Sequence, residues 1–488
     1  MTSNHPASLN ATPAATALPA IVTGFATAVA MWVVWVIAHH PAVNLPAMVI
    51  GPALLLLQVG SVAWWIRRVA AGQLRVGILS GVTTGVINSL LLGGMISQQL
   101  GSTAAPGLEG LPHNAPLVIG LFILVSAVLG GIGGAIGSAM GPTPGAGDDT
   151  RSCWLARFAV VAAVAVVPLL TLGGAVTSAH AGLSVPDWPG TYGANMFLYP
   201  IGLMAADPRV FLEHTHRLFG SLVGLTTVAL FVATLAVDRR AWIKVFAGVL
   251  VLGVIAQGVL GGLWVRMAQE GGMDPRLVRW LPVVHGVMAQ VYFAGAVAFA
   301  AVIRLGFAQV TANSHNGLMK RSAKWTKVLL GVLLVQLVMG AMYRHLQSKH
   351  ALFTHIGVAF VVVVLAQIVG FRMKRLAREG TSAPRQLAGS GTGMAHTAGL
   401  QFLLGWLAFL VVGTAAARVN PTADQLATTD VVSGWYALVR SAHQINGAAL
   451  IALATLAAVW AERVAAKIGP TGANGTVEAK PAAAATPV

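Results

Sequence analysis

The chain has 488 residues, of which 56% are hydrophobic and only 9% are charged, and its formal net charge is +16. A mean hydropathy of +0.76 and 56 glycines exclude an ordinary soluble domain and favour a protein whose solvent is lipid. The positive charge does not indicate nucleic-acid binding, because the basic residues are scattered among short connecting segments and form no single patch.

Apolar windows of about 20 residues, the helix length that crosses a hydrocarbon core of roughly 30 Å, recur along the sequence. Each is predicted to be a helix, because a helix satisfies its own backbone polar groups where water is absent. The first window follows a polar start without a basic segment or cleavage site, so we expect a retained span rather than a signal peptide. The twelve windows lie near residues 17–38, 47–66, 76–97, 116–140, 157–178, 210–236, 241–265, 281–303, 326–345, 351–371, 396–416 and 436–461. The sequence therefore predicts an all-α integral membrane protein with about twelve transmembrane helices.

Lysine and arginine are concentrated in one set of alternate loops, for example at Arg67, Arg68, Arg239 and Arg240. By the positive-inside rule we expect both termini to be cytoplasmic, in a multi-pass protein of the cell inner (plasma) membrane. The only cysteine, Cys153, falls in a predicted cytoplasmic loop without a partner, so no disulfide is expected.

A loop rich in Gly, Pro and Asp, at residues 141–156, separates four spans from the eight that follow. The tail is rich in Ala, Pro and Gly and has no core-forming pattern, which is typical of disorder. We therefore predict four regions: an N-terminal block of unknown role at 1–150, two sets of four spans at 151–310 and 311–467, and a disordered tail at 468–488.

A pair of helices is repeated four times within the last eight spans. The first member of each pair carries small residues, in TLGGAV at 171–176, QGVLGG at 257–262, QLVMGA at 336–341 and QFLLGW at 401–406. The glycines are interpreted as positions where helix backbones approach closely. Gln257, Gln336 and Gln401 each precede a glycine by four residues and need a hydrogen-bond partner, either on a neighbouring helix or on a ligand.

The second member of each pair carries a histidine in its first two turns: His216, His285, His355 or His443. Because alternate helices run in the same direction, the four imidazoles are expected at one depth in the membrane. A single intramembrane histidine is as readily a hydrogen-bonded structural residue as a ligand. Four at one depth favour haem, since imidazole is a common axial ligand of haem iron and helices of a bundle can face it from both sides. The simplest pairing is His216 with His285 and His355 with His443.

A zinc or copper site is the competing use of clustered histidines, but it usually recruits a carboxylate, Cys or Met at short spacing. The one candidate carboxylate is Glu213, which precedes His216 by three residues and shares its helical face. Glu213 either complements the positive end of its helix or stands beside the iron at His216. His214 lies on a different face and is interpreted as a polar residue of the helix end.

Two stretches near these residues resemble the haem A synthase family of bacteria and mitochondria. They are GGAVTSAHAGLSVPDWPGTYG at 173–193 and EHTHRLFGSLVG at 213–224, with weaker support from AQGVLGGLWV at 256–265 and VVHG at 283–286. The resemblance covers residues 157–462 and implies that the last eight helices form two pseudo-symmetric four-helix bundles. The N-terminal block lies outside the family pattern, and we expect its polar residues His39, His40 and Asn88 to be interfacial or packing residues.

The resemblance also implies a function and a set of roles. The reaction is oxidation of the methyl group of haem O to the formyl group of haem A by successive hydroxylations, with electrons passing through haem b. His216 and His285 would flank the substrate haem, with Glu213 as the catalytic carboxylate, and His355 and His443 would ligate haem b. The expected partners are the haem O substrate, the lipid bilayer, the haem O synthase and an electron donor; an oligomer is compatible with the sequence, and nucleic acid is not expected.

Many members of the family carry a cysteine pair in the first outer loop, and Val185 stands at one of those positions, so a thiol-dependent role is absent. The loop at 178–210 is interpreted either as a lid over the first haem site or as an aromatic anchor at the membrane interface. Arg217, Arg344 and Arg440 lie near the same face and suit the carboxylates of a haem. The alternatives to the enzyme are a non-catalytic di-haem membrane cytochrome for electron transfer and a haem transporter or delivery module.

Overall fold

The computed structural model of the chain describes residues 13–99, 114–143, 150–270, 274–307, 316–378, 384–414 and 434–466. Over these residues the fold is all-helical, apart from an isolated β-bridge between Thr191 and Ala194. The helices are α1 (Pro13–His39), α2 (Ala47–Ile66), α3 (Gln73–Gln99), α4 (Ala115–Ala139), α5 (Arg151–Ser178), α6 (Ile201–Ala206), α7 (Pro208–Val237), α8 (Ala241–Glu270), α9 (Pro275–Phe307), α10 (Asn316–Leu346), α11 (Lys349–Arg378), α12 (Pro384–Thr414) and α13 (Gly434–Ala466). All but α6 are long and apolar enough to cross a membrane, which confirms the twelve predicted spans.

The last eight long helices form two rings of four. In the first bundle α5 packs on α7, α7 on α8, α8 on α9 and α9 on α5, and the second bundle repeats this order with α10, α11, α12 and α13. The histidine-bearing helices α7 and α9 therefore stand on opposite corners of the first bundle, and α11 and α13 stand on opposite corners of the second. The two bundles meet where α13 packs on α5 and α9, and where α10 packs on α9.

Four of the long helices in the two bundles begin at one face of the molecule, which we call the site face. At this face α5, α8, α10 and α12 end and α7, α9, α11 and α13 begin. The first turn of α7 is set by Asp207, whose side chain accepts a hydrogen bond from the backbone N–H of Arg209 at 2.7 Å, and by Pro208, which needs no intrahelical donor there. This start places Glu213 and His216 within the first three turns of the helix.

The N-terminal helices α1 to α4 pack on one another and then, through α1, on α5 and α7. One continuous apolar core joins this block to the first bundle and includes Trp32, Phe158 and Phe219. The second bundle has a separate core around Leu329, Val369 and Ala454. The division of the chain at residue 150 stays a prediction, and the tail at 468–488 lies outside the described residues.

Two elements differ from the helices expected from the sequence. Helix α12 begins at Pro384, twelve residues before the predicted window, although this stretch is rich in glycine. The glycines serve packing, since a Cβ added at Gly391 would lie 2.5 Å from the backbone oxygen of Gly370 in α11. The short helix α6 was also not expected from the sequence, because six residues are too few to give a periodic signal.

Candidate functional site

Each of the four histidines occupies the space left by a glycine on the preceding span. The four pairs, with the distance from a Cβ atom added at the glycine to Cε1 of the histidine, are Gly173 and His216 (3.0 Å), Gly261 and His285 (3.3 Å), Gly340 and His355 (2.9 Å), and Gly405 and His443 (3.2 Å). A larger residue at any of the four positions would push on the imidazole. The predicted role of these glycines in close packing is therefore more specific than expected, because what approaches each of them is a histidine ring.

In the second bundle one histidine ring is oriented by contacts from a single residue, Gln336, to both of its nitrogens. Nδ1 of His355 lies 2.9 Å from the backbone oxygen of Gln336 and donates to it, so Nε2 carries a lone pair and can accept a hydrogen bond. The side-chain nitrogen of Gln336 lies 3.3 Å from that Nε2, and its Oε1 is buried without a partner. Metal-binding histidines also commonly have one ring nitrogen held by a carbonyl, so this orientation is compatible with a ligand role once the Gln336 side chain moves from Nε2.

The rings of His355 and His443 face each other across the second bundle. Their centroids are 6.1 Å apart and their planes make an angle of 71°. Two imidazoles that ligate one iron from opposite sides, with bonds of about 2 Å and ring radii of about 1.1 Å, place their centroids roughly 6 Å apart. Gln401 lies beside His443 at 3.3 Å and accepts a hydrogen bond from Asn446 at 2.8 Å. In the second bundle, the hydrogen-bond partner that Gln401 was predicted to need is therefore His443 on a neighbouring helix.

The first bundle also has a glutamine beside one of its two histidines, but a leucine stands at the matching position beside the other. In the amide orientation that satisfies both of its polar atoms, Gln257 donates to Nδ1 and to the backbone oxygen of His285, at 3.2 Å each. The residue at the matching position before Gly173 is Leu169, which offers only its backbone to His216. Nδ1 of His216 is buried without a partner of good geometry. The His216 ring is therefore the least constrained of the four.

Glu213 is a buried carboxylate, 3% exposed, that joins α7 to the connection after α5. Its Oε1 accepts a hydrogen bond from Arg217 at 2.6 Å, and its Oε2 accepts one from the backbone N–H of Val185 at 2.9 Å. The guanidinium of Arg217 also donates to the backbone oxygens of Asp187 and Gly190, at 2.7 and 2.9 Å. A buried carboxylate needs such partners, and here they are supplied by its own helix and by the loop.

The connection at residues 179–200, which we call the α5–α6 loop, closes over the first bundle. The ring of Trp188 fills the space beside Gly262, the neighbour of the glycine that contacts His285. The ring of Trp264 fills the space beside Gly182 in the same way, with an added Cβ only 2.6 Å away. The ring of Trp188 packs on α8 but is still 36% exposed, so the lid and the aromatic anchor both stay predictions.

A cluster of basic side chains lies between the two bundles at the site face. Arg344 donates to Ser178 Oγ at 2.6 Å, to Gln444 Oε1 at 3.1 Å and to the backbone oxygen of Gly174 at 3.4 Å. Neither Arg344 nor Arg440 has a carboxylate within ion-pair distance among the described residues. Uncompensated guanidinium groups near a membrane interior are costly, so this cluster suits an anionic group between the bundles.

Sequence reasoning missed several residues that the fold brings to this cluster. Ser178, His180 and Gln444 were not singled out, although Gln444 directly follows His443 and so had to lie near it. His345 was also missed and lies near Arg344 and His285. Within the described residues, no group of three or more His, Cys, Asp or Glu side chains is close enough to hold a bare metal ion, which gives no support to a zinc or copper site.

We expect His180 to make the stability of the protein depend on pH. Burial, together with Arg440 and Arg344, lowers the pKa of His180 to about 4. As pH falls below 6.5, His180 is protonated in the unfolded chain but stays neutral in the folded chain. The free energy of unfolding therefore falls between pH 6.5 and 4. Between pH 7 and pH 5 the loss should be roughly 1 kcal/mol, once screening by solvent is allowed for.

Thermal unfolding of the wild type and of His180→Asn in one detergent, at both pH values, measures this loss. Asparagine tolerates the left-handed backbone of this position, where φ is 55°, so the variant keeps the loop geometry. An equal loss of stability in the variant would show that another group is responsible.

Comparison with known proteins covers the first bundle and the start of the second. Residues 156–354 match the COX15-CtaA family model, described as cytochrome oxidase assembly protein. A protein named heme A synthase, from Methylobacterium sp. (strain 4-46), is 30% identical over 178 residues, which cover 30% of this chain and 46% of that relative. The chain thus spans less than half the length of the curated relative, and no solved structure matches it. Residues 156–354, which include Glu213 and two of the four histidines, His216 and His285, are thus similar to cytochrome oxidase assembly proteins and to a heme A synthase.

Proposed function

We propose that the protein is a haem A synthase, an oxidoreductase that converts the methyl group of haem O to the formyl group of haem A by successive hydroxylations. The observation that carries this proposal is the fourfold pairing of a glycine with a histidine in two bundles of the same design. The name of the 30% identical relative supports the same function.

The second bundle suits a permanently bound haem b. His355 and His443, whose ring centroids are 6.1 Å apart, are the residues that would hold its iron, and Nδ1 of His355 is already held by a carbonyl. Among the described residues the donors at this place are two imidazoles, which would supply a haem iron suited to electron transfer. The residues present therefore fit the group, and Arg344 and Arg440 would receive its propionates.

The first bundle suits the substrate, haem O, between His216 and His285. The rings lie against Gly173 and Gly261, and the α5–α6 loop excludes water from one side. Bound haem iron would supply the oxidising chemistry, and the chain supplies position and charge. We assign Glu213 to hold or accept a proton at its Oε1 or Oε2 next to the reacting edge.

Arg217 was predicted to bind a haem carboxylate, and this assignment stays a prediction. In the structure its guanidinium already donates to Glu213 and to three backbone oxygens of the α5–α6 loop. We therefore propose that Arg217 acts mainly by holding Glu213 and the loop together.

A second candidate function is a non-catalytic di-haem cytochrome. It is favoured by the partners of Glu213, because both carboxylate oxygens are engaged in contacts that a purely structural residue would also make. Under this alternative both bundles would hold haem b tightly, and no product would form.

The setting of the reaction is also part of the proposal. We place the protein in the plasma membrane with both termini cytoplasmic, so that the site face lies on the outer side. The haem O synthase would deliver the substrate, and a separate electron donor would reduce haem b. Self-association is compatible with the wide apolar surface, and a role for nucleic acid is not proposed.

Pigment extraction from the purified protein tests the function. We expect haem b together with haem O, haem A or the hydroxylated intermediate, in roughly equal amounts, because one bundle holds a cofactor and the other a substrate. The control is the same protein from cells that cannot make haem O, where only haem b should remain. Two equivalents of tightly bound haem b under both conditions would favour the cytochrome.

A further inference from the structure

The end of α3 touches the α5–α6 loop at two glycines. A Cβ added at Gly93 would lie 2.5 Å from the backbone oxygen of Phe197, and one added at Gly94 would lie 2.7 Å from that of Tyr199. These distances involve backbone atoms, which cannot turn aside as the end of a side chain can. The helix therefore approaches the loop as closely as two backbones allow, and only glycine permits this.

Helix α1 reaches the same part of the first bundle from another direction. The ring of Trp32 packs edge-on against Phe219 with centroids 5.6 Å apart, and the ring of His40 packs edge-on against Phe211 at 5.6 Å. Phe211 precedes Glu213 by two residues, and Phe219 follows His216 by three. Trp32 is itself fixed by α3, because its indole nitrogen donates to Asn88 at 3.0 Å. Helix α1 and the residue that follows it thus contact α7 on both sides of the predicted catalytic residues, and α3 supports this contact through Asn88.

The opposite side of the loop is held by α7. Thr191 Oγ1 lies 3.1 Å from Nδ1 of His214, and the ring of Tyr199 lies 5.4 Å from the ring of His214. Tyr199 also stacks on Tyr192, which donates from its hydroxyl to the backbone oxygen of Ser184 at 2.5 Å. His214, predicted only to be a polar residue of the helix end, is 1% exposed and anchors the loop.

No disulfide bond fixes the α5–α6 loop to another part of the chain. Cys153, the only cysteine, lies in the first turn of α5, at the end remote from the site face. The position of the loop depends on packing between α3 on one side and α7 on the other. Without α3, the segment from Phe197 to Tyr199 would lose one of the two surfaces that enclose it.

From these contacts we propose that the N-terminal block is a brace for the substrate site: α3 packs on the α5–α6 loop and α1 packs on α7, and together they hold the backbone N–H of Val185 on Glu213. This gives positioning roles to Gly93 and Gly94 and a purpose to a block that lies outside the family match at 156–354. The proposal rests on the proposed function only where it calls the first bundle a substrate site. The contacts of α1 and α3 that form the brace do not depend on it.

Gly93→Ala and Gly94→Ala, made singly in the full chain, test the brace. Each added methyl group forces α3 and the loop apart, so we expect amide hydrogen exchange in residues 184–199 to rise about tenfold. Formation of haem A should fall by a similar factor through kcat, while the haem b spectrum of the second bundle is unchanged. The matched controls are Gly51→Ala and Gly120→Ala in α2 and α4, where an added Cβ meets nothing within 4 Å.

Amide hydrogen exchange does not depend on catalysis, so it tests the brace independently of the proposed enzymatic function. Faster exchange confined to the loop supports the brace even if no haem A is formed by any variant, in which case the proposed function alone fails. Unchanged exchange in both variants would overturn the brace. Loss of haem b along with the loop protection would also overturn it, because the block would then support the whole fold and not the loop.

Discussion

Replacing either His355 or His443 by alanine should abolish the low-spin haem b spectrum of the purified protein. Under the proposed assignment both imidazoles would hold the haem b iron, and their ring centroids stand 6.1 Å apart on opposite corners of the second bundle. With one ligand removed, the remaining histidine leaves the iron five-coordinate, so the spectrum should become high-spin or disappear with the haem. Absorption spectra of the reduced protein, normalised to protein concentration, measure the change.

The control for this experiment is His350→Ala. His350 lies one and a half turns before His355 on α11 and is exposed, so its loss should leave the spectrum intact. Gly340→Val gives an independent approach, because its added Cβ would lie 2.9 Å from Cε1 of His355 and should displace the ring without removing it. A normal haem b spectrum in both histidine variants would defeat the assignment of the second bundle.

The positions of the membrane helices could be predicted because hydropathy and backbone satisfaction act locally. A span of about 20 apolar residues must be a helix in lipid, whichever helices surround it. Alternation of direction then put His216, His285, His355 and His443 at one level, and the structure brings each to a glycine on the preceding span. The fourfold repeat was visible because the two bundles have the same design.

The partners of the site residues could not be predicted in the same way. Glu213 meets the backbone of Val185, 28 residues earlier, through a loop with no periodic pattern. Arg344 meets Ser178 across 166 residues, where two bundles touch. Such contacts follow from how helices pack against one another, and hydropathy alone does not specify that packing. The brace formed by α3 was hidden for the same reason, since Gly93 and Gly94 look like any other small pair in a membrane helix.

Replacing Glu213 should separate the two roles that its position allows. We expect Glu213→Ala and Glu213→Gln to fold, to keep the haem b spectrum and to form haem A at least about 100-fold more slowly, the usual loss when a proton-transfer group is removed. Glutamine is the informative substitution. Its amide oxygen can still accept the hydrogen bond from Val185, 2.9 Å away in the wild type, but it cannot take up a proton. Product formation per haem b, followed by extraction, measures the effect.

Glu462→Gln is the matched control, because Glu462 also pairs with a basic residue, Lys327 at 2.6 Å, but its side chain is 47% exposed and lies away from the site face. Full activity in Glu213→Gln with loss in Glu213→Ala would mean that the carboxylate serves only to hold the α5–α6 loop, a positioning role that the amide can fill. Full activity in both would remove Glu213 from the mechanism altogether. Loss of activity in both variants would support proton transfer by the carboxylate, which keeps free lone pairs on both oxygens beside its bonds to Val185 and Arg217.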